Sequence, residues 1–322
     1  MTPWRFTLSV GAVALSAAVV ASGHLAAQNA PLVRPLRMGD VQTYPVQGGV
    51  HLIVGAGGNI AVQVGEDGVL VVDTGAAEHG DKVLSAIQSI SPKPIRYVLN
   101  THIHPDHTGN NERVSKAGRW YGGVDNDITA AFIISAEGVL TRMSGETMPA
   151  GNWPMMVYPP GKRKDIYIND ETVQMLHQPD AHTDGDSVVF FRRSDVIVAG
   201  DVFLTTTYPF IDEKRGGGIN GIIDSLNRII DIANPRENQE GGTMIIPGHG
   251  RITDEYEVVE YRDMLTMIRD RIQHDIKRKR TLAQIKAAKP SLDFDGRYGA
   301  DTGPWTTDQF IEAVYRGLSA PK

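Results

Sequence analysis

Thr101-His102-Ile103-His104-Pro105-Asp106-His107-Thr108-Gly109 sets three imidazoles and a carboxylate within six residues, directly after the largely apolar run 95–99. A strand ending near Asn100 lets the alternating His102 and His104 point the same way, with Asp106 and His107 on a turn that opens a helix. Imidazole nitrogen and carboxylate oxygen are ligands for zinc, and an oxygen-rich neighbour set also accepts iron or manganese. A lone histidine is usually a surface or hydrogen-bonded residue. Four ligand-type residues in this register read as a metal loop with room for two adjacent cations.

Partners for such a loop stand at other predicted strand ends. His182 lies in Ala181-His182-Thr183-Asp184-Gly185 before the apolar run 187–191, Asp201 follows the run 196–200, and His249 follows 244–248. Asp73 closes the run 68–72 and is followed by Thr74-Gly75. Glycine at such corners lets the chain turn sharply and approach an ion closely. Asp73 has two readings: a cap for the following turn or helix, or a carboxylate that accepts an imidazole N–H and orients a metal ligand. His24, His51, His79, His177 and His274 belong to no ligand cluster.

With these residues in place, the sequence resembles the metallo-β-lactamase superfamily. The resemblance rests on Asp73 in Val72-Asp73-Thr74-Gly75, on His102-x-His104-x-Asp106-His107, and on His182, Asp201 and His249 in that order, across about 49–250. It implies an α/β fold, a four-layer αββα sandwich with the metals at one end between two sheets. It also implies one metal on His102, His104 and His182, a second on Asp106, His107 and His249, and Asp201 bridging them. The implied cofactor is two Zn2+, with iron or manganese as alternatives. Two cations roughly 3.5 to 4 Å apart would activate a shared water near neutral pH, with Asp106 orienting it for attack on a substrate carbonyl.

The chain has no cysteine, which excludes thiolate catalysis, disulfides and cysteine zinc knuckles. Asp201 resembles the bridging aspartate of the thioesterase, lactonase and phosphodiesterase branches, where some zinc β-lactamases place a cysteine. That points away from antibiotic hydrolysis.

The amino-terminal residues carry a further expectation. Met1 to Arg5 has one basic residue, Phe6 to Ala21 is apolar, and His24-Leu25-Ala26-Ala27 offers small residues before Gln28. Residues 1–27 read as an export signal, giving a periplasmic or secreted protein without stable membrane insertion after cleavage. The alternative is an uncleaved anchor, although the apolar run is short against the ~20 residues of a full span.

A lead-in over 28–48 would precede the metallo-β-lactamase-like domain, 49–253, and a helical carboxy-terminal extension, 254–322, packed on the same domain. With 322 residues, 41% hydrophobic and 22% charged, the composition is ordinary for a globular chain. A formal net charge of -6 argues against a nucleic-acid surface. The basic cluster Lys277-Arg278-Lys279-Arg280 ends a predicted helix, where positive charge suits the dipole.

Strands are predicted at 50–54, 60–64, 69–72, 165–168, 171–177, 187–191 and 195–198, and helices at 78–90 and 219–232. Tyr261, Met264, Leu265, Ile268 and Ile272 share one face of a later helix. A final helix follows Thr306 or Thr307 as N-cap, with Phe310, Ile311 and Val314 on its apolar face.

Residues 120–127, 148–160 and 203–220 are expected to rim the site. Within them Trp153, Met155, Met156 and Tyr158 read either as an apolar wall or as ordinary packing, and Tyr208 and Arg215 are candidates for substrate contact. The leading functional reading is a hydrolase of small-molecule esters, lactones, thioesters or β-lactams. Alternatives are an iron oxygenase resembling the persulfide dioxygenase branch, which uses a two-His, one-Asp subset, and a metal-stabilised binding protein without turnover. Whether the chain forms an oligomer is left open by the sequence.

Overall fold

Valine and isoleucine dominate the segments that become the central strands, and the alternation of their side chains decides which layer each one joins. The computed structural model describes residues 40–121, 130–146, 148–239 and 241–320. The expected export signal and most of the lead-in lie outside them.

The first sheet follows chain order: β1 (Gln42–Gln47), β2 (Val50–Val54), β3 (Ile60–Gly65), β4 (Gly68–Val72), β5 (Ile95–Leu99), β6 (Phe132–Ala136) and β7 (Met156–Tyr158). It is antiparallel from β1 to β4 and parallel from β4 to β7. The parallel pairings need crossovers. Helix α1 (Gly80–Ile90) joins β4 to β5, and α2 (Pro105–Thr108) and α3 (Asn111–Ala117) stand between β5 and β6. Helix α4 (Glu137–Gly145) leads from β6 towards β7.

The second sheet has the order β12-β11-β10-β9-β8, with β8 (Arg163–Ile168), β9 (Glu171–Gln178), β10 (Asp186–Phe191), β11 (Val196–Leu204) and β12 (Met244–His249). All its neighbours are antiparallel except β11 and β12, whose parallel pairing is bridged by α5 (Ile219–Ile232).

Strand alternation builds three apolar layers. Leu52, Leu70, Val72 and Leu99 of the first sheet meet Met175, Phe191, Val198 and Ile246 of the second. The opposite face of the first sheet, through Ile53, Val62, Val71 and Val98, packs on Val83 and Ile87 of α1 and Val114 of α3. The outer face of the second sheet, through Ile197 and Ala199, packs on Ile222 and Leu226 of α5. The result is the four-layer αββα sandwich.

The carboxy-terminal helices are α6 (Glu255–Lys277), α7 (Leu282–Ala287), α8 (Asp295–Tyr298) and α9 (Thr307–Ser319). Tyr261, Met264, Leu265, Ile268 and Ile272 of α6, with Phe310, Ile311 and Val314 of α9, join the same apolar layer as α5 and β11. Thr306 caps α9 in a reciprocal box with Gln309. Among the described residues, no helix is long and apolar enough to cross a membrane.

Candidate metal centre

The metal loop leaves the first sheet at the end of β5, crosses residues 101–103 and enters the single turn of α2, with Pro105 in its opening turn. Ile103, between His102 and His104, turns away from them into a small cluster with Val139, Met143, Met148 and Trp153. This anchor fixes both imidazoles from behind. Trp153 therefore packs, and Tyr158 is buried between the sheets with its hydroxyl against Ser187 Oγ at 2.7 Å. Met155 and Met156 remain exposed.

The second sheet supplies the rest. His182 stands between β9 and β10, and His249 ends β12. Asp201 lies inside β11, which continues to Leu204, whereas the predicted strand ends at Val198. The cause is a break in register with β12 at Gly200 (φ 58°), which re-aims the chain while keeping it extended.

These residues form two adjoining groups: His102, His104, His182 and Asp201, and Asp106, His107 and His249, each with its donor atoms within 4.8 Å of one another. Asp201 joins the groups. Its Oδ2 is 3.9 Å from His102 Nε2, 3.7 Å from His182 Nε2 and 3.6 Å from His249 Nε2, while its Oδ1 is 3.2 Å from His107 Nε2. Asp106 Oδ2 is 3.1 Å from His249 Nε2 and 3.7 Å from His107 Nε2.

Outer hydrogen bonds assign the tautomers. His182 Nδ1 donates to the Phe210 carbonyl at 2.6 Å, and His104 Nε2 donates to Asp212 Oδ2 at 3.0 Å. That leaves His182 Nε2 and His104 Nδ1 facing each other across 2.9 Å, each with a bare lone pair. His107 Nδ1 donates to Asp73 Oδ2 at 2.8 Å, and His102 Nδ1 meets Thr101 Oγ1 at 3.0 Å. The inward-facing His102 Nε2, His107 Nε2 and Asp201 Oδ1 are buried without hydrogen-bond partners.

Such orphaned atoms are costly unless something else satisfies them. A cation would do so: two ligands each ~2.1 Å from one zinc at a tetrahedral angle lie about 3.4 Å apart, within the range of the separations above. The donor set therefore fits metal.

Asp73 has left-handed backbone (φ 63°) and accepts from Thr101 N, Thr101 Oγ1 and His107 Nδ1 at 2.8, 2.7 and 2.8 Å. These bonds favour the orienting reading over the cap. Asp212 does the same for His104 and is itself gripped by Arg215 Nη1 at 2.6 Å.

Proton affinities divide the site. Burial drives His102 well below 6.5 and His182 down to about 4, so both are neutral. Burial acts the same way on His107, but the Asp201 and Asp73 carboxylates outweigh it and hold His107 well above 6.5. His249 is also raised, burial being overcome by Asp106 and Asp201. Burial works against ionisation of Asp106, yet the His249 hydrogen bond and the His107 charge bring it to about 2.

Glycines admit this crowding. A Cβ at Gly58 would lie 2.4 Å from the His107 ring, and one at Gly248 would lie 1.9 Å from Asp201 Oδ1.

Two sequence candidates take other roles. Tyr208 is buried, stacks on Phe310 at 4.6 Å and gives its hydroxyl to Asp295 Oδ1 at 2.8 Å, so it joins the carboxy-terminal helices to the sandwich and is not free to touch substrate. Arg215 is held by Asp212 and by both carboxylate oxygens of Glu146, which commits its guanidinium to His104 through Asp212. Sequence reasoning missed Thr101, Asp212 and Phe210, although the last two fall in the expected rim 203–220. Phe210 sets its ring 5.9 Å from His104 and 5.8 Å from His182, backed by Trp305 at 4.8 Å. Most of the rim segment 120–127 lies outside the described residues.

The family model of the metallo-beta-lactamase superfamily matches residues 54–269. The chain belongs to that superfamily. Among curated relatives of this superfamily member, the linear primary-alkylsulfatase of Pseudomonas sp. (strain ATCC 19151) is 27% identical over 241 residues, 65% of this chain and 44% of the relative. The 2,4-dinitroanisole O-demethylase subunit alpha of Nocardioides sp. (strain JS1661) is 28% identical over 179 residues, 53% of this chain and 49% of the relative. The chain thus spans about half the length of these relatives or less. Solved structures share the fold: the inverting sec-alkylsulfatase Pisa1 from Pseudomonas sp. (TM-score 0.64, 14% identity, 86% of this chain, 50% of that one) and a metallo-beta-lactamase from Pontibacter korlensis (TM-score 0.54, 13% identity, 70% and 99%).

Proposed function

We propose that this protein is a metal-dependent hydrolase holding two ions, zinc being the ion its nitrogen-rich donor set suits best. The supporting observation is the convergence of His102 Nε2, His107 Nε2 and Asp201 Oδ1, buried and without partners, on one space shared with Asp106 and His249. His102, His104 and His182 would hold one ion and Asp106, His107 and His249 the other, with Asp201 contributing to both. When bound, the ions supply electrophilic polarisation of substrate and a water acidified to near-neutral pKa.

The chain's own groups provide the rest. Asp106, held ionised, is the carboxylate on the solvent side of the cluster. It accepts a hydrogen bond from the attacking water and so orients a lone pair towards the substrate. Asp73 and Asp212 hold the imidazoles of His107 and His104 against rotation. Phe210 walls the His104 and His182 side and limits solvent there.

For the substrate, an ester, lactone, thioester or β-lactam carbonyl is the first reading. A second, attack on an alkyl sulfate or an aryl methyl ether, is favoured by the names of the two curated relatives. A single-iron oxygenase would leave Asp106, His107 and His249 without a common purpose. Export rests on residues 1–27, and amino-terminal sequencing of the extracytoplasmic form tests it.

The functional test is a panel of lactones, thioesters, β-lactams and alkyl sulfates assayed with the zinc-loaded protein and with Asp106→Asn. Turnover on at least one class is expected, falling on the order of a hundredfold or more in the variant, with an unchanged circular dichroism spectrum. Equal rates in the two proteins would reject the role of Asp106.

A further inference from the structure

Exposure around the candidate metal centre is strongly one-sided. The side chains of His102, His107 and His182 are 0% exposed, Asp201 10% and His104 13%, whereas Asp106 is 37% and His249 39% exposed. Substrate must therefore approach over Asp106 and His249. From His249 a groove of about 640 Å³ runs between the β1–β2 edge of the first sheet and the loop 249–252 after β12.

Its walls include Tyr44, Pro45, Leu52, Val54 and Ile252. Among the described lining residues there is no carboxylate, and besides His249 at its mouth the one basic residue, Arg251, has a 64% exposed side chain turned to Glu257. A volume in this range suits a small molecule, and an apolar wall beside a polar reaction centre is the usual makeup of a ligand site.

The groove and the centre share one frame. Asn59 Nδ2 donates to the carbonyls of Pro247 and Gly250 at 2.9 and 3.0 Å, tying the β2–β3 loop to the loop that carries His249. The same β2–β3 loop lies against His107 at Gly58 and against Asp106 at Gly57. A ligand arm in the groove thus rests on the segments that fix the second metal group.

We propose that this groove binds the apolar acyl arm of the substrate, so that the enzyme selects medium-chain acyl compounds over short ones. The inference rests on the hydrolase reading for its substrate, but its test does not require turnover. Binding of octanoate and of butanoate to the zinc-loaded protein is measured by titration calorimetry, in wild type and in Val54→Trp, which fills the groove from the β2 side. Ile252→Trp fills it from the opposite wall and serves if the first variant does not fold.

At about fourfold per buried methylene, octanoate should bind wild type roughly two-hundredfold more tightly than butanoate, and the ratio should fall towards one in a folded filled variant. Similar affinities in wild type, no binding of either acid, or a ratio that survives both substitutions would overturn the proposal. Chain-length selectivity in a protein that turns over nothing would leave the groove standing and the hydrolase reading refuted. Turnover without selectivity would do the reverse.

Discussion

Asp73 shows how much of the candidate centre depends on residues that never face an ion. It adopts left-handed backbone, which Asp tolerates better than most residues, and its carboxylate spans the Thr101 amide and hydroxyl and the His107 ring. Replacing it with alanine should leave His107 free to turn and weaken metal binding by about 10- to 100-fold, read by competition with a chromophoric chelator. Wild-type affinity in Asp73→Ala would show that packing alone holds the ring.

The pKa pattern gives a signed pH dependence. His102 and His182 are already neutral, so protons do not compete for these two ligands. His107 and His249 have raised pKa values, hold protons at higher pH, and must lose them to bind an ion. As pH falls through those raised values, affinity for the second equivalent should drop by about tenfold per unit for each proton displaced, while the first equivalent changes less. Calorimetry in two buffers of different ionisation enthalpy counts the released protons, and none released with the second equivalent would contradict the assignment.

At the level of elements, the sequence was legible wherever burial and periodicity agreed. Strands β2 to β5 and β8 to β11, α1, α5 and the apolar face of α6 follow directly from their hydrophobic patterns. Strand β1 was missed because Gln42–Gln47 is largely exposed and contains Pro45, which only an edge strand accommodates. Strand β7 has three residues, sits at the other edge and falls within the expected rim 148–160, and β6 beside it lies in a stretch to which the sequence reading assigns no element.

Helix α9 illustrates a tertiary contact that periodicity cannot supply. Its apolar face is readable, but its partner is not: Phe310 stacks at an interplanar angle of 3° on the ring of Tyr208, which the sequence offers only as a candidate for substrate contact. Tyrosine in a loop gives no local sign of whether its ring is buried. Phe310→Ala should cost about 3 to 5 kcal/mol, visible as a lower midpoint in urea denaturation. A change below 1 kcal/mol would mean that this interface is peripheral to folding.

Across the whole molecule, the candidate ligands were legible as a group because the chain brings them to the ends or bends of β5, β11 and β12, and to the turn between β9 and β10, on one edge of the sandwich. Their supports were less so. Asp212 and Arg215 act on His104 through a loop strapped to His182 by the Asp212 N to His182 O bond at 3.0 Å, and that strap has no sequence signature.

Because the ligands come from both sheets, metal should bind the folded chain and not the unfolded one. Zinc at a hundred times its dissociation constant would then add about 2.7 kcal/mol. Chelation should lower the melting temperature by roughly 5 to 10 °C, and an unchanged melting curve would mean that the ions do not couple the sheets.

The most direct measurement is the number of ions retained. After loading with zinc and removal of excess, elemental analysis should find two equivalents per chain in wild type and one in His107→Ala. One equivalent or none in wild type would contradict a paired site built from His102, His104, Asp106, His107, His182, Asp201 and His249.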